Sequence, residues 1–152
     1  MGVFPLRRVG VAPVSYDGGM PTTSPSFASP DGLAVAPGYS QVVTIPSGRL
    51  VWTSGQIAMD GEGNVVGAGD WEGQARAVFV NVTTALQTAG AGWSDVVKLT
   101  FFVVDVAELA TIRAVRDEFV DRSRPPTSTL VQVAGLIQPD LLLEVEAVAW
   151  LP

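Results

Sequence analysis

The sequence predicts an α+β fold, a mixed β-sheet with two helices packed on one face. Three observations predict it. Ala75, Val78, Val82, Ala85, Leu86 and Ala89 recur at helical spacing, with Asp70 as the N-cap and Gly90 as the stop. Val96–Val104 and Leu142–Leu151 are apolar runs of strand length. Between them, Asp105-Val-Ala-Glu108 has the spacing of a capping box and opens a second helix running to about Asp121.

Taken in order, residues 1 to about 37 carry six prolines and little periodicity, and read as an extended arm with a short strand near Val9–Tyr16. Ser40–Ile45 and Leu50–Ser54 are short strand runs flanking Pro46-Ser-Gly48, which predicts a hairpin. The first helix follows a turn at Gly61-Glu-Gly-Asn64. Val96–Val104 is a central strand. Leu109, Ile112, Val115 and Phe119 form the stripe of the second helix, with Arg113, Arg116 and Asp117 off it. Strands Thr127–Ala134 and Leu142–Leu151, separated by a Gln138-Pro-Asp140 turn, complete a β-β-α-β-α-β-β order. Helices on one side leave the other sheet face to be covered by neighbouring subunits.

The last strand carries the chemistry. Glu144 and Glu146 stand two residues apart, so both carboxylates project from one face of it. Val148 and Trp150 continue that face and apolar residues fill the opposite one. A strand apolar on both sides is covered on both sides, which puts the acids in a cleft or an interface.

Composition narrows the function classes. Hydrophobic residues make up 47% of the 152 and charged residues 16%. No apolar run approaches a membrane span, so the apolar surplus is assigned to subunit contact, with no membrane partner. The chain has neither cysteine nor histidine. That excludes thiol nucleophiles, Ser-His and Cys-His pairs, and imidazole or thiolate metal sites; no metal and no cofactor are expected. A formal net charge of −6 repels a polyphosphate backbone, so no nucleic acid partner is expected. Arg7 and Arg8 precede Val9–Val14, too short and Pro-interrupted for a secretory apolar segment. The expected location is cytoplasmic.

Four segments, in order, resemble the Rid (YjgF) family. They are Pro37-Gly-Tyr-Ser-Gln41, Trp52-Thr-Ser-Gly-Gln-Ile57, Val96-Val-Lys-Leu-Thr100, and Arg124-Pro-Pro-Thr-Ser-Thr-Leu130 leading into Glu144-Val-Glu-Ala147. The likeness spans residues 25–152, leaving residues 1–24 as an irregular N-terminal arm. It implies a chorismate-mutase-like fold and a homotrimer with clefts between subunits. It also implies hydrolysis of a small reactive enamine or imine, releasing ammonia without metal or cofactor. By the same resemblance Glu144 matches the carboxylate that orients the attacking water. Tyr39 matches a cleft tyrosine, Ser54-Gly55 the Ser-Gly turn, and Thr129 a position whose backbone amide holds substrate.

Thr127 departs from the family pattern, standing where deaminase members carry the arginine that grips the substrate carboxylate. Hydrogen bonds to charged groups are worth about 1.5–3 kcal/mol each, so the substrate must be anchored by Arg113 or Arg124, or be neutral. Arg113 stands near a position that is asparagine in some members. Each of these positions also has a plainer reading. Glu144 could pair an arginine, Tyr39 could pack, and Thr127 and Thr129 could be ordinary strand residues. Arg113 could pair with Asp117 at i, i+4. Asn81 reads as a helix residue bonding nearby backbone. Two functions follow: the deaminase, or a non-catalytic trimer that binds a small molecule or partner on the same scaffold.

Overall fold

A computed structural model of the chain describes residues 23–34 and 36–152. The strand expected near Val9–Tyr16 lies outside the described residues. The elements are strands β1 (Ser26–Ala28), β2 (Val42–Thr44), β3 (Arg49–Trp52) and β4 (Gln56–Ile57), helix α1 (Trp71–Thr88), strand β5 (Val96–Val103), helix α2 (Leu109–Arg116), and strands β6 (Thr127–Gln132) and β7 (Leu143–Leu151).

The main sheet runs β3–β7–β5–β6, and β4 also pairs with β7. The β5–β6 pair is parallel and the pairs made by β7 are antiparallel, so the sheet is mixed as expected. The parallel pair follows from α2, which carries the chain back across the sheet between β5 and β6.

The expected hairpin between Ser40–Ile45 and Leu50–Ser54 does not form. β2 pairs instead with β1 in a separate two-stranded sheet, while β3 pairs with β7. Pro46 offers no ladder donor, and Gly48 packs onto the end of β7. A Cβ on Gly48 would stand 2.4 Å from the Trp150 indole nitrogen and from the Leu151 carbonyl oxygen.

α1 begins and ends as the capping signals require. The Asp70 carboxylate accepts from the Gly73 amide at 3.0 Å, and Gly90 takes φ +75°. Its buried side includes Phe79 and Gln74 as well as Val78, Val82 and Leu86. The second helix differs from expectation. Asp105 caps a single 3-10 turn, Val106–Glu108, and α2 then ends at Arg116. Phe119 follows in an irregular turn, from which it stacks on Phe79 at 5.1 Å and meets Trp93 at 5.5 Å.

The core sits between the helices and one sheet face. Leu143, Val145, Ala147 and Ala149 of β7 and Leu99, Phe101 and Val103 of β5 point into it, against Val78, Phe79, Val82, Leu86, Ile112 and Val115. The opposite face carries Glu144, Glu146 and Val148 beside Lys98, Thr100 and Phe102, all half-buried. No helix covers it. Trp52 is 66% exposed there, and Ile137 in the loop after β6 is 81% exposed. Trp150 continues the acid-bearing face but is only 6% exposed. It shares a hollow with Thr23, Pro25 and Phe27, residues at and just before β1.

Candidate functional site

Two hollows on opposite sides of the sheet hold four of the residues singled out in the sequence, Glu144 and Glu146 in one and Tyr39 and Arg113 in the other. The first lies on the helix-free face. Glu144 and Glu146 line it with Phe102 and the Val133–Ile137 loop, enclosing about 330 Å³ open to solvent. Alternation along β7 puts both acids there, as their spacing predicts. Among the described residues, neither carboxylate takes part in an ion pair.

Gly55 meets Glu144, and the Ser54 carbonyl beside it accepts from the Gln56 side chain at 3.2 Å. The register of β4 on β7 pairs Ile57 with Glu144 and Gln56 with Val145. The glycine backbone lies directly beneath the carboxyl group, since a Cβ at position 55 would fall 1.7 Å from Glu144 Oε1. Thr53 sets this approach. Its amide donates to the Ala147 carbonyl at 3.0 Å, and its hydroxyl accepts from the Ala147 amide at 3.0 Å. A side chain thus replaces a ladder partner, and Ser54-Gly55 breaks out of the sheet between β3 and β4.

Thr127 and Thr129 share the helix-free face with Lys98, through the β5–β6 register. The Thr127 hydroxyl donates to the Val97 carbonyl at 3.0 Å. The Thr129 hydroxyl accepts from the Lys98 ammonium. Desolvation on this face lowers the Lys98 pKa from its ordinary value.

Tyr39 and Arg113 come together elsewhere, in a cavity of about 170 Å³ between α2 and the helix-facing side of β6. Ser128 and Leu130 point into it from β6, and Leu109, Ile112 and Arg116 from α2. Ser40 holds Tyr39 in place. Its hydroxyl donates to the Pro125 carbonyl at 2.6 Å and its amide to the Pro126 carbonyl at 3.1 Å, which ties the Pro37–Gln41 segment to the start of β6.

The expected Arg113–Asp117 pair is absent. Asp117 Oδ1 accepts from Arg116 Nη2 at 2.6 Å and from its Nε at 3.0 Å. Arg122 Nε lies 3.5 Å from the other carboxylate oxygen. Arg116, expected to lie off the buried stripe, is 7% exposed. Its guanidinium occupies the space above Gly38, where a Cβ would stand 2.7 Å from Nη2. Gly38 takes φ +82°. Arg124 is engaged with β1, its guanidinium 5.7 Å from the centre of the Phe27 ring.

Gln74 is the structural residue the sequence reading missed. Fully buried, it donates to the Asp140 carbonyl at 2.6 Å and accepts from the Leu142 amide at 2.9 Å, which fixes the entry to β7 two residues before Glu144. Asn81 bonds the backbone, donating to the Ile57 and Met59 carbonyls at 2.9 Å each. Among the described residues no cluster of acids could hold a metal ion, and no helix is long and apolar enough to cross a membrane.

A mixed sheet with both helices on one face and an acid-bearing hollow on the other defines a small α+β protein of YjgF-like class. Comparison with known proteins bears on the same point. The family profile described as Endoribonuclease L-PSP matches residues 30–151. A RutC family protein of Synechocystis is 36% identical over 115 residues, covering 75% of this chain and 86% of that one. The 2-iminobutanoate/2-iminopropanoate deaminase of Salmonella typhimurium is 35% identical over 128 residues, covering 83% of this chain and 97% of that one. YyfB of Yersinia pestis, a protein of the Rid family, superposes with a TM-score of 0.74 at 34% identity, covering 84% of this chain and 99% of that one. The chain belongs to the Endoribonuclease L-PSP family, the Rid (YjgF) family.

Proposed function

We propose that this protein is a deaminase that hydrolyses a small reactive enamine or imine, with Glu144 as the group that holds the attacking water. The observation that carries this reading is the bare Glu144 carboxylate over the Gly55 backbone, in a hollow open to solvent. The deaminase name of the Salmonella relative supports it. An enamine first takes a proton on its β-carbon and becomes an iminium. Water then adds its oxygen to the iminium carbon, giving up a proton to Glu144. The carbinolamine nitrogen is protonated, the C–N bond breaks, and ammonia leaves as the carbonyl forms. Each imine consumes one water and yields one ketone and one ammonia. A positioned general base contributes about 10²–10⁴-fold.

The working unit in this reading is a homotrimer in the cytoplasm, built from the domain of residues 25–152. Exposed Trp52 and Val131 on a helix-free sheet face support burial against other copies. The separation of Tyr39 and Glu144 to opposite sides of one sheet supports a cleft completed by a second copy. The partner is a small molecule rather than nucleic acid, given the net charge of −6.

Ammonia release from freshly generated imines tests the reading, with light scattering to count subunits. Glu144→Gln should lower turnover at least about a hundredfold while the assembly survives. Undiminished turnover in that variant removes Glu144 from the mechanism. The second reading, a trimer that binds without catalysis, is favoured by the Thr127 hydroxyl, whose proton is committed to the Val97 carbonyl. It predicts ligand binding with no ammonia from the wild type.

A further inference from the structure

The cavity between α2 and β6 contains two guanidinium groups and no acid among the residues that line it. One cation is already neutralised, since Arg116 spends Nε and Nη2 on Asp117. The same carboxylate also faces Arg122, so it has nothing left for Arg113. Arg113 forms no ion pair among the described residues. A half-buried guanidinium at the wall of a cavity, without an internal counter-ion, is a site for an anion supplied from outside.

We propose that Arg113 anchors the carboxylate of a small aliphatic ligand in this cavity. It would supply, from α2, the cation that Thr127 does not supply from β6. Tyr39 and Ser128 line the same cavity, and each brings a hydroxyl able to donate to an anion. Leu109, Ile112 and Leu130 form the apolar remainder and receive a short hydrocarbon side chain. Size limits the ligand further. A cavity of about 150 Å³ holds one benzene-sized molecule, so one of about 170 Å³ suits an acid of a few carbons and excludes a nucleotide.

For its reaction this proposal rests on the deaminase reading, which then acts on a short-chain 2-imino acid or its enamine. For binding it stands alone. β6 ends the main sheet, so the cavity lies under an edge strand, which a second copy can approach with its own Glu144.

The test is isothermal titration of the whole protein with 2-oxobutanoate, the stable keto-acid product, beside its neutral methyl ester. Wild type should bind the acid at least about ten times more tightly than the ester, the worth of one charge-assisted bond. Arg113→Ala should lose about ten- to a hundredfold in acid affinity and nothing in ester affinity. Arg113→Lys keeps the charge without the fork and should fall between. Arg122→Ala, outside the cavity, should bind as wild type. Equal binding of acid and ester, acid binding unaffected by Arg113→Ala, or no acid binding at all would each overturn the proposal. The ester comparison uses only wild type and does not depend on a variant folding. Arg113-dependent binding without ammonia release sustains the anchor and removes the deaminase reading. Ammonia release from 2-imino acids undiminished in Arg113→Ala does the reverse.

Discussion

Glu144 and Gly55 are matched by shape. The carboxyl group fills the space a side chain at position 55 would need, with Oε1 at 1.7 Å, Cδ at 2.5 Å and Cγ at 2.8 Å from the place of a Cβ. The obstructing atoms are the far end of a flexible side chain, so Gly55→Ala should fold, with the carboxylate swung aside. Overpacking of this kind costs about 1–3 kcal/mol, and the lower end applies where one side chain can rotate away. Misplacing a reacting group by about 1 Å can cost a hundredfold in rate. The variant should therefore lose ten- to a hundredfold in ammonia release with a small shift in urea midpoint. Full turnover in Gly55→Ala would mean that the position of this carboxylate does not govern the chemistry.

A second prediction concerns pH. Asp60 closes the turn that leads towards α1. It accepts from the Asn64 side chain at 3.0 Å and from the amides of Glu62 and Asn64 at 2.9 Å each. The Asn64 side chain, with these amides, holds the Asp60 carboxyl below its ordinary value of 3.8. A depressed folded-state value means that the carboxylate favours the fold above the unfolded value. That contribution is lost as pH falls through the lower folded value. The turn should thus stay closed at pH 4 and open only under more acidic conditions. In an NMR titration the Asp60 midpoint should lie below 3.8 in wild type and move up towards it in Asn64→Ala. An unmoved midpoint would show that the Asn64 amide is not what holds the proton off.

The architecture was legible because local signals agreed with the global fold. Asp70 and Gly90 bracket α1, and the alternation of β7 separates Glu144 and Glu146 from Leu143 and Val145. The hairpin failed because its argument was local. Pro46-Ser-Gly48 is a good turn, but which strands it joins is decided by β7, almost a hundred residues later. Arg116 was misplaced, and Gln74 missed, for another reason. Arg116 lies four residues after Ile112, and Gln74 four before Val78, so helical geometry puts both on the buried side. The charge of Arg116 argued for solvent, Gln74 carried no expectation, and only the fold reveals the partners that satisfy them, Asp117 for one and the Asp140–Leu142 backbone for the other. The separation of Tyr39 from Glu144 is a matter of sheet sides. It becomes visible once β6 is known to present Ser128 and Leu130, rather than Thr127 and Thr129, to α2.

Gln74 carries the last prediction, because it couples stability to the site. Its amide is the only side chain among the described residues that bonds both the Asp140 carbonyl and the Leu142 amide, at the entry to β7. Gln74→Leu keeps the volume and leaves the Leu142 amide without its acceptor. An unsatisfied buried group costs about 1–3 kcal/mol, and the loss should appear in urea unfolding. Gln74→Glu should be worse at neutral pH, since an ionised carboxylate has no proton to give the Asp140 carbonyl and is buried without a counter-charge. Hydrogen exchange at the Leu142 amide should speed up in Gln74→Leu before the sheet as a whole opens. Wild-type stability in both the Leu and the Glu variant would show that this amide does not hold the strand on which Glu144 stands.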